Sequence, residues 1–148
     1  MNDFVHLHLH SQYSLLDGAN RLDDVIQAAA AAGMPAISLT DHGNLFGAIE
    51  FYDKATKAGI KPIIGIEAYV AQGSLADRNP ARGSSNHLVL LARNQTGYQN
   101  LLQIASAAQL DGFYYYPRVD HDFLAAHSEG LICTSGCMSA EIPRALLD

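Results

Sequence analysis

The sequence predicts an α/β fold, and three observations point to it. Short apolar runs of strand character alternate with segments whose apolar residues recur at helical spacing. Glycine closes the helical segments and proline opens the strands after them, at Gly33 and Pro35 and again at Gly59 and Pro62. Histidine and carboxylate residues gather where the predicted strands end. A segment of an α/β barrel and an open α/β sheet both fit this order.

Composition narrows the class. Of 148 residues, 49% are apolar, enough to build a core, while a charged content of 16% argues against both disorder and a solvated coiled coil. The length suits one domain but is short for a barrel of about 250 residues, which leaves open whether the chain is a fragment. Nine basic and fifteen acidic side chains give a formal charge of -6, which excludes a generally basic nucleic-acid-coating protein and leaves local DNA contacts open. Met1 to Leu9 lack the cationic start and long apolar run of a signal peptide, and no window approaches about 18 uninterrupted apolar residues. A cytoplasmic chain with no membrane partner is therefore expected, with Cys133 and Cys137 reduced as core thiols or a metal ligand.

Phe4 to His10 alternates as a strand, placing His6, His8 and His10 on one face and Val5, Leu7 and Leu9 on the other. After the loop SQYSLLDGA, Asn20 is expected to cap a helix striped by Leu22, Val25, Ile26, Ala29 and Ala30 and stopped by Gly33. The strand AISLT leads to Asp41 and His42. Asn44 should cap the next helix, whose inward residues are Leu45, Ala48, Ile49, Tyr52 and Ala55, with Gly59 as its stop. PIIGIEAYV is the following strand. Gly33 precedes Asp41 by eight residues and Gly59 precedes Glu67 by eight, so two successive right-handed βα units would bring both carboxylates near one sheet edge. A loop, QGSLADRNPARGSSN, then carries Arg78 and Arg82. HLVLLA, opened by His87, reads as a buried strand before a helix with Leu101, Leu102, Ile104, Ala105 and Ala108. GFYYYPRVD is extended or loop-like, Asp120 caps a short helix through His127, and GLICTS reads as a buried parallel strand with Cys133 toward the core. Ser139 is expected to start the last helix.

An HxH pair on a strand puts His8 and His10 on one face, within reach of one or two metal ions. Alone, such a pair is more often a hydrogen-bonded surface feature. Asp17, His42, Glu67, His87 and Cys137 change that weighting, because strand ends and their loops gather residues distant in sequence. His6 lies a step from that rim and is expected to pack behind the ligands. His42 is the better ligand of its pair, and Asp41 an orienting residue. Imidazoles and a thiolate suit zinc, while oxygen ligands admit manganese, iron or magnesium and let a carboxylate bridge two ions; multinuclear zinc or manganese is preferred. Neither a GxxxxGK[ST] loop nor a GxGxxG fingerprint occurs, and Ser11, Ser14 and Ser135 lack a GxSxG setting, which leaves metal-activated water as the favoured chemistry. Arg78 and Arg82 are candidate nucleic-acid contacts through phosphate, and Tyr114, Tyr115 and Tyr116 could stack on bases or pack their own loop.

Together, HLHLHSQYSLLDG, ISLTDHGNLFGAIEFY, KAGIKPIIGIEAYV, HLVLLARNQTGYQNL and GLICTSGCMSAEIP closely resemble the amino-terminal polymerase and histidinol phosphatase (PHP) domain of the bacterial DNA polymerase III alpha family, over essentially the whole chain. HxH with TDH is generic to the superfamily, whereas GNLFGAIEFY, GIKPIIG and ARNQTGYQNL point to its replicative polymerase branch. The resemblance implies a seven-stranded, TIM-like β/α barrel of which residues 1–148 are the N-terminal portion, with a three-metal phosphoesterase site at the strand ends. It implies that His8, His10, Asp17, His42, Glu67, His87 and Cys137 are metal ligands taking part in catalysis, with Glu67 bridging. Two further ligands, from a later Asp-x-His motif, would lie beyond Asp148. The implied activity is phosphodiester hydrolysis or 3′-to-5′ exonuclease proofreading, in a parent that performs DNA-directed DNA synthesis through a magnesium-dependent polymerase domain absent from these residues. DNA, deoxynucleoside triphosphates and replisome subunits, among them the sliding clamp and the proofreading subunit, are the implied partners. A standalone PHP-family phosphoesterase and a noncatalytic, metal-stabilised module of the polymerase are the alternatives.

Overall fold

In the computed structural model, which describes residues 4–78 and 85–147, the first two helices end in the same way. Helix α1 (Leu22–Ala31) stops at Gly33, φ +69°, where Met34 N–H donates to Ala29 O and Gly33 N–H to Ala30 O, both at 3.0 Å. Helix α2 (Ala48–Lys57) repeats the pattern at Gly59, φ +76°, with Ile60 N–H donating to Ala55 O at 3.0 Å and Gly59 N–H to Thr56 O at 3.1 Å. Glycine takes this left-handed turn without strain, so each helix is released directly into the strand behind it. Those strands, β1 (Ala36–Leu39) and β2 (Lys61–Val70), run parallel with Ala36 opposite Lys61 and Leu39 opposite Ile64, forming the expected βαβ unit around α2.

Strand β3 (Asn86–Ala92) then returns antiparallel, Val70 opposite Asn86 and Gly65 opposite Leu91. Helix α3 (Gln95–Leu110) follows, then β4 (Arg118–Val119) parallel to β2, α4 (His121–Ala126), β5 (Leu131–Thr134) antiparallel to β3, and α5 (Glu141–Leu147). The order is β1-β2-β3-β5, with β4 on β2. This open, mixed, five-stranded sheet corrects the expectation of a partial seven-stranded, TIM-like barrel. The departure begins between β2 and β3. A parallel return needs a long crossover, usually a helix; residues 71–78 carry none, and the chain doubles back beside itself. GLICTS is likewise not a parallel neighbour of β3 but an antiparallel edge among the described residues, which leaves Cys133 exposed rather than in the core.

Residues 4–10 form no regular strand and bend at Leu7 and His8. Ser38 N–H donates to His6 O at 2.9 Å and Thr40 N–H to Leu9 O at 2.8 Å, so two residues on one side span three on the other and the strict alternation breaks. His6 is consequently exposed against the Phe4 ring, 4.7 Å away, instead of packed behind the ligands.

Two expected caps serve other groups. The Asn20 amide donates to His10 O at 2.8 Å, and Asn44 ties Tyr13 O to His42 O at 3.1 and 2.9 Å, while α1 and α2 begin without side-chain caps. Asn94 and Asp120 do cap, accepting from Gly97 N–H and Phe123 N–H, each at 2.9 Å. The last helix starts at Glu141, past Ser139, whose carbonyl accepts from His87 N–H at 3.2 Å.

The core has two parts. Leu22, Ile26 and Ala29 of α1 meet Ile37 and Leu39 of β1 and Phe51 and Ala55 of α2; Ile66, Ala68 and Leu90 of the sheet meet Leu101, Ile104 and Ala108 of α3. Each large side chain so buried contributes about 1.5–3 kcal/mol relative to exposure. Phe51 sits between Ala48 and Ala55 at helical spacing and turns the α2 stripe away from the predicted one, leaving Ile49 and Tyr52 at 66% and 53% exposure. Among the described residues no helix is long and apolar enough to cross a membrane.

Candidate metal centre

The β1–β2 register runs on past the end of β1 and pairs His42 with Glu67. Glu67 N–H donates to Asp41 O at 3.1 Å and Gly43 N–H to Glu67 O at 2.9 Å, so the two residues meet across a backbone bridge. Alternation along β2 places Tyr69 on the face of Glu67, and Tyr69 stands opposite His87. Because β3 is antiparallel, its first residues lie at the edge where β2 ends, and reversal of that strand does not remove His87 from the site. The segment after β5 brings Cys137 to the same edge, and residues 4–10 bring His8 and His10.

Glu67, only 1% exposed, is the centre. Its Oε2 lies 3.2 Å from His8 Nε2, 3.0 Å from His10 Nε2 and 3.0 Å from His42 Nδ1. Its Oε1 lies 3.0 Å from His87 Nδ1, and the Cys137 thiol approaches it at 3.8 Å. Asp17 joins from outside, Oδ2 to His42 Nε2 at 2.9 Å. Two groups, His8–His10–Glu67 and His42–Glu67–His87, have ligand atoms within 4.8 Å of one another and share the carboxylate, an arrangement consistent with a multinuclear divalent-metal site of hydrolase type.

The donor set fits metal for a specific reason. Glu67 Oε2 and His42 Nδ1 are both buried and, although 3.0 Å apart and with further imidazole nitrogens close to the oxygen, neither makes a well-formed hydrogen bond among the described residues. Buried polar atoms in proteins are paired almost without exception, and a divalent cation would satisfy both of these. Burial pushes the Glu67 carboxyl up, but the imidazoles of His10, His8, His87 and His42 together outweigh it and hold the group well below the usual carboxylate range. Burial pulls His10 down, and Glu67, helped by Asp17 and Asp41, raises it above the ordinary 6.5. Tyr69, pushed up to about 12 by burial and then by Glu67, keeps its phenolic proton.

Asp41 stands behind the cluster. Its carboxylate accepts from Ser11 N–H at 2.6 Å, from Ser11 Oγ at 2.8 Å and from Ser14 Oγ at 2.9 Å. Ser14 Oγ also lies 3.3 Å from His10 Nδ1 and accepts from His42 N–H at 3.0 Å. Sequence reasoning passed over Ser11 and Ser14 as loop serines; their three-residue spacing, closed by Ser14 N–H donating to Ser11 O at 2.9 Å, was the available signal. It also passed over Tyr69, legible as the same-face neighbour of Glu67. Gly18 completes this loop, since a Cβ there would fall 1.8 Å from Ser11 O.

Arg78 lies apart from the cluster. Its guanidinium donates to Leu75 O and Asp111 O, both at 2.7 Å, and so ties the loop to the end of α3. Arg82 lies outside the described residues. A cleft of about 730 Å³ opens beside the cluster, with Asp17, His42 and His87 in its wall along with Tyr69, Tyr115 and Tyr116.

The PHP domain family model matches residues 6–148. The DNA polymerase III subunit alpha of Borreliella burgdorferi is 58% identical over 146 residues, which are 97% of this chain and 13% of that protein. Its Thermus aquaticus counterpart is 54% identical over 149 residues, 97% of this chain and 12% of that one. This chain thus spans a small part of these relatives. A solved amidohydrolase from Chromobacterium violaceum shares 28% identity and a TM-score of 0.48, covering 70% of this chain and 34% of the other. With the family match extending over nearly the whole sequence and the HxH and TDH histidines meeting at one glutamate, the chain belongs to the PHP domain family.

Proposed function

We propose that this chain is the N-terminal PHP region, residues 1–148, of a replicative DNA polymerase alpha subunit, and that its metal centre hydrolyses phosphodiesters, removing nucleotides from a 3′ end. The observation that carries the reading is the buried Glu67 carboxylate shared by two ligand groups, with one oxygen and one imidazole nitrogen lacking well-formed hydrogen bonds among the described residues. Bound divalent metal supplies activation of water and neutralises the charge that develops on phosphate. His8, His10 and Glu67 would hold one ion, and His42, Glu67 and His87 a second; Asp17 and Cys137 would complete the set. Zinc or manganese suits these donors best, with iron and magnesium as alternatives. Ser14 orients the His10 ring and anchors the His42 backbone, and Tyr69 shields one side of His42 from water. In the longer protein, DNA and deoxynucleoside triphosphates would be substrates, magnesium would serve a separate polymerase domain, and replisome subunits including the sliding clamp and proofreading subunit would be partners, in the cytoplasm.

A bracing role is the second reading, favoured by the number of distant chain segments that meet at Glu67. The test is to load the protein with zinc or manganese and follow 5′-labelled single-stranded DNA, beside Glu67→Gln. Metal-supported shortening from the 3′ end should be lost in the variant, by more than the roughly 10–100-fold typical of residues that merely support a ligand. Metal uptake that raises the melting temperature without any cleavage would overturn hydrolysis in favour of bracing.

A further inference from the structure

Tyr115 is the one non-glycine residue with positive φ among the described residues, at +59°. That backbone region crowds a β-carbon, and a bulky aromatic has none of the local hydrogen bonding that lets asparagine or aspartate adopt it. The turn is nevertheless fixed from both sides. Tyr114 N–H donates to Tyr116 O at 3.0 Å, and the Tyr114 ring sits under the Arg118 guanidinium at 5.1 Å. This turn does not tuck Tyr115 into the core, because the side chain is 71% exposed. Backbone strain held in place to present an exposed ring points to a use for that ring.

The ring's position says what the use is. Tyr115 and Tyr116 stand in the wall of the cleft that His42, His87 and Asp17 also line. The Tyr116 ring lies 4.9 Å from that of Tyr69, which stacks on His42 at 5.7 Å, so an aromatic wall runs outward from the metal centre. Arg144, tied to Asn86 at 2.9 Å, is the single lysine or arginine among the described residues lining the cleft. Away from the metal centre Arg144 is thus the one cationic side chain among the described lining residues, and with a formal chain charge of -6 phosphate attraction there is weak, so stacking supplies the hold on the base.

We infer that Tyr115 is a stacking platform for an unpaired base next to the scissile phosphate of a single-stranded nucleic acid. This subsite rests on the phosphodiesterase reading above. A base paired inside a duplex has both faces covered by its neighbours, whereas an unpaired base has a face free for Tyr115, so the platform favours single strands.

The test uses the metal-loaded protein and a 5′-fluorescent, phosphorothioate-linked single-stranded oligonucleotide, read by anisotropy. Glycine accepts φ near +60° without strain, which offsets the loss of the edge contact between the Tyr115 and Tyr114 rings at 4.7 Å and the added freedom of the unfolded chain, so Tyr115→Gly should melt within a few degrees of wild type. It should weaken binding about tenfold, the order delivered by one base–aromatic stack, while Tyr115→Phe stays within about twofold. Replacing the terminal base by an abasic site should weaken wild type to the same extent and Tyr115→Gly no further, since each change removes the same contact. Wild type that binds abasic and normal termini equally, or an abasic penalty equal in both proteins, would overturn the inference. Unmodified DNA in parallel separates the two readings: cleavage without this coupling sinks the platform alone, and coupling without cleavage sinks hydrolysis alone.

Discussion

Replacing Ser14 by alanine removes one hydroxyl and leaves three partners short: Asp41 Oδ1 at 2.9 Å, the His42 N–H at 3.0 Å and His10 Nδ1 at 3.3 Å. Ser14 is 2% exposed, so water cannot take over these bonds. Ser14→Ala should therefore cost about 1–3 kcal/mol of stability, measured by urea unfolding without metal. Metal affinity, measured by competition with a chelator dye, should fall roughly 10–100-fold because the His10 ring loses its orienting contact. Affinity equal to wild type would remove Ser14 from the site's support. The imidazoles and carboxylates were legible in the sequence because their chemistry announces itself; Ser14 was not, because a serine acquires its role only from the groups folded around it. Asp41 lay between the two: its adjacency to His42 suggested an orienting residue, but its route to His10 passes through a hydroxyl that no spacing rule marks.

Gly33 and Gly59 separate backbone strain from packing. Nothing lies within 4 Å of a Cβ built at either position, so alanine there meets only the left-handed conformation, φ +69° and +76°. Gly33→Ala and Gly59→Ala should each destabilise by about 1–2 kcal/mol in urea unfolding. A neutral result would mean that the helix ends shift to absorb the residue. These stops, the Leu101, Ile104 and Ala108 positions of α3 and the Asp120 cap were readable because each depends on a few neighbouring residues, whereas Leu102, read into the same stripe, is 42% exposed. The α2 face was misread because Ile49 and the ring of Tyr52 offer large apolar surfaces as Phe51 does, and packing against α1 and β1 decides which of them goes inside. The histidine-rich opening was misread for another reason. Its alternation is real, but the bulge-like register against Ser38 and Thr40 belongs to the pairing and cannot be seen in one strand alone.

For the molecule as a whole, pH sets the competition between protons and metal. His10 in the metal-free protein is raised above 6.5, burial being outweighed by Glu67, so its pairing stabilises the fold below about that pH and fades as pH rises through the folded value. Metal needs the neutral ring and gains over the same interval. Glu67 stays ionised throughout, since its carboxyl is held below the usual range, and contributes no opposing slope near neutrality. The stabilisation on adding zinc or manganese, read as a rise in melting temperature, should thus grow from pH 6 to 8, reaching roughly 2.7 kcal/mol of free energy where free metal is at a hundredfold excess over the dissociation constant. A rise that is flat with pH would exclude imidazole ligation. The direction of β3 was the feature least open to sequence reading, because a buried apolar strand looks the same run either way, and the barrel expectation failed there. Continuity of register from β1 through the His42–Glu67 bridge has a further consequence, for folding fidelity. A slip of one residue along β2 would turn Glu67 to the opposite face and offer Ile66 or Ala68 in its place, neither of which can bind a cation. The proposed metal affinity would therefore belong to the correctly aligned sheet alone, and metal in the folding medium would draw misaligned chains toward it by mass action, making the centre an inspector of the fold that built it.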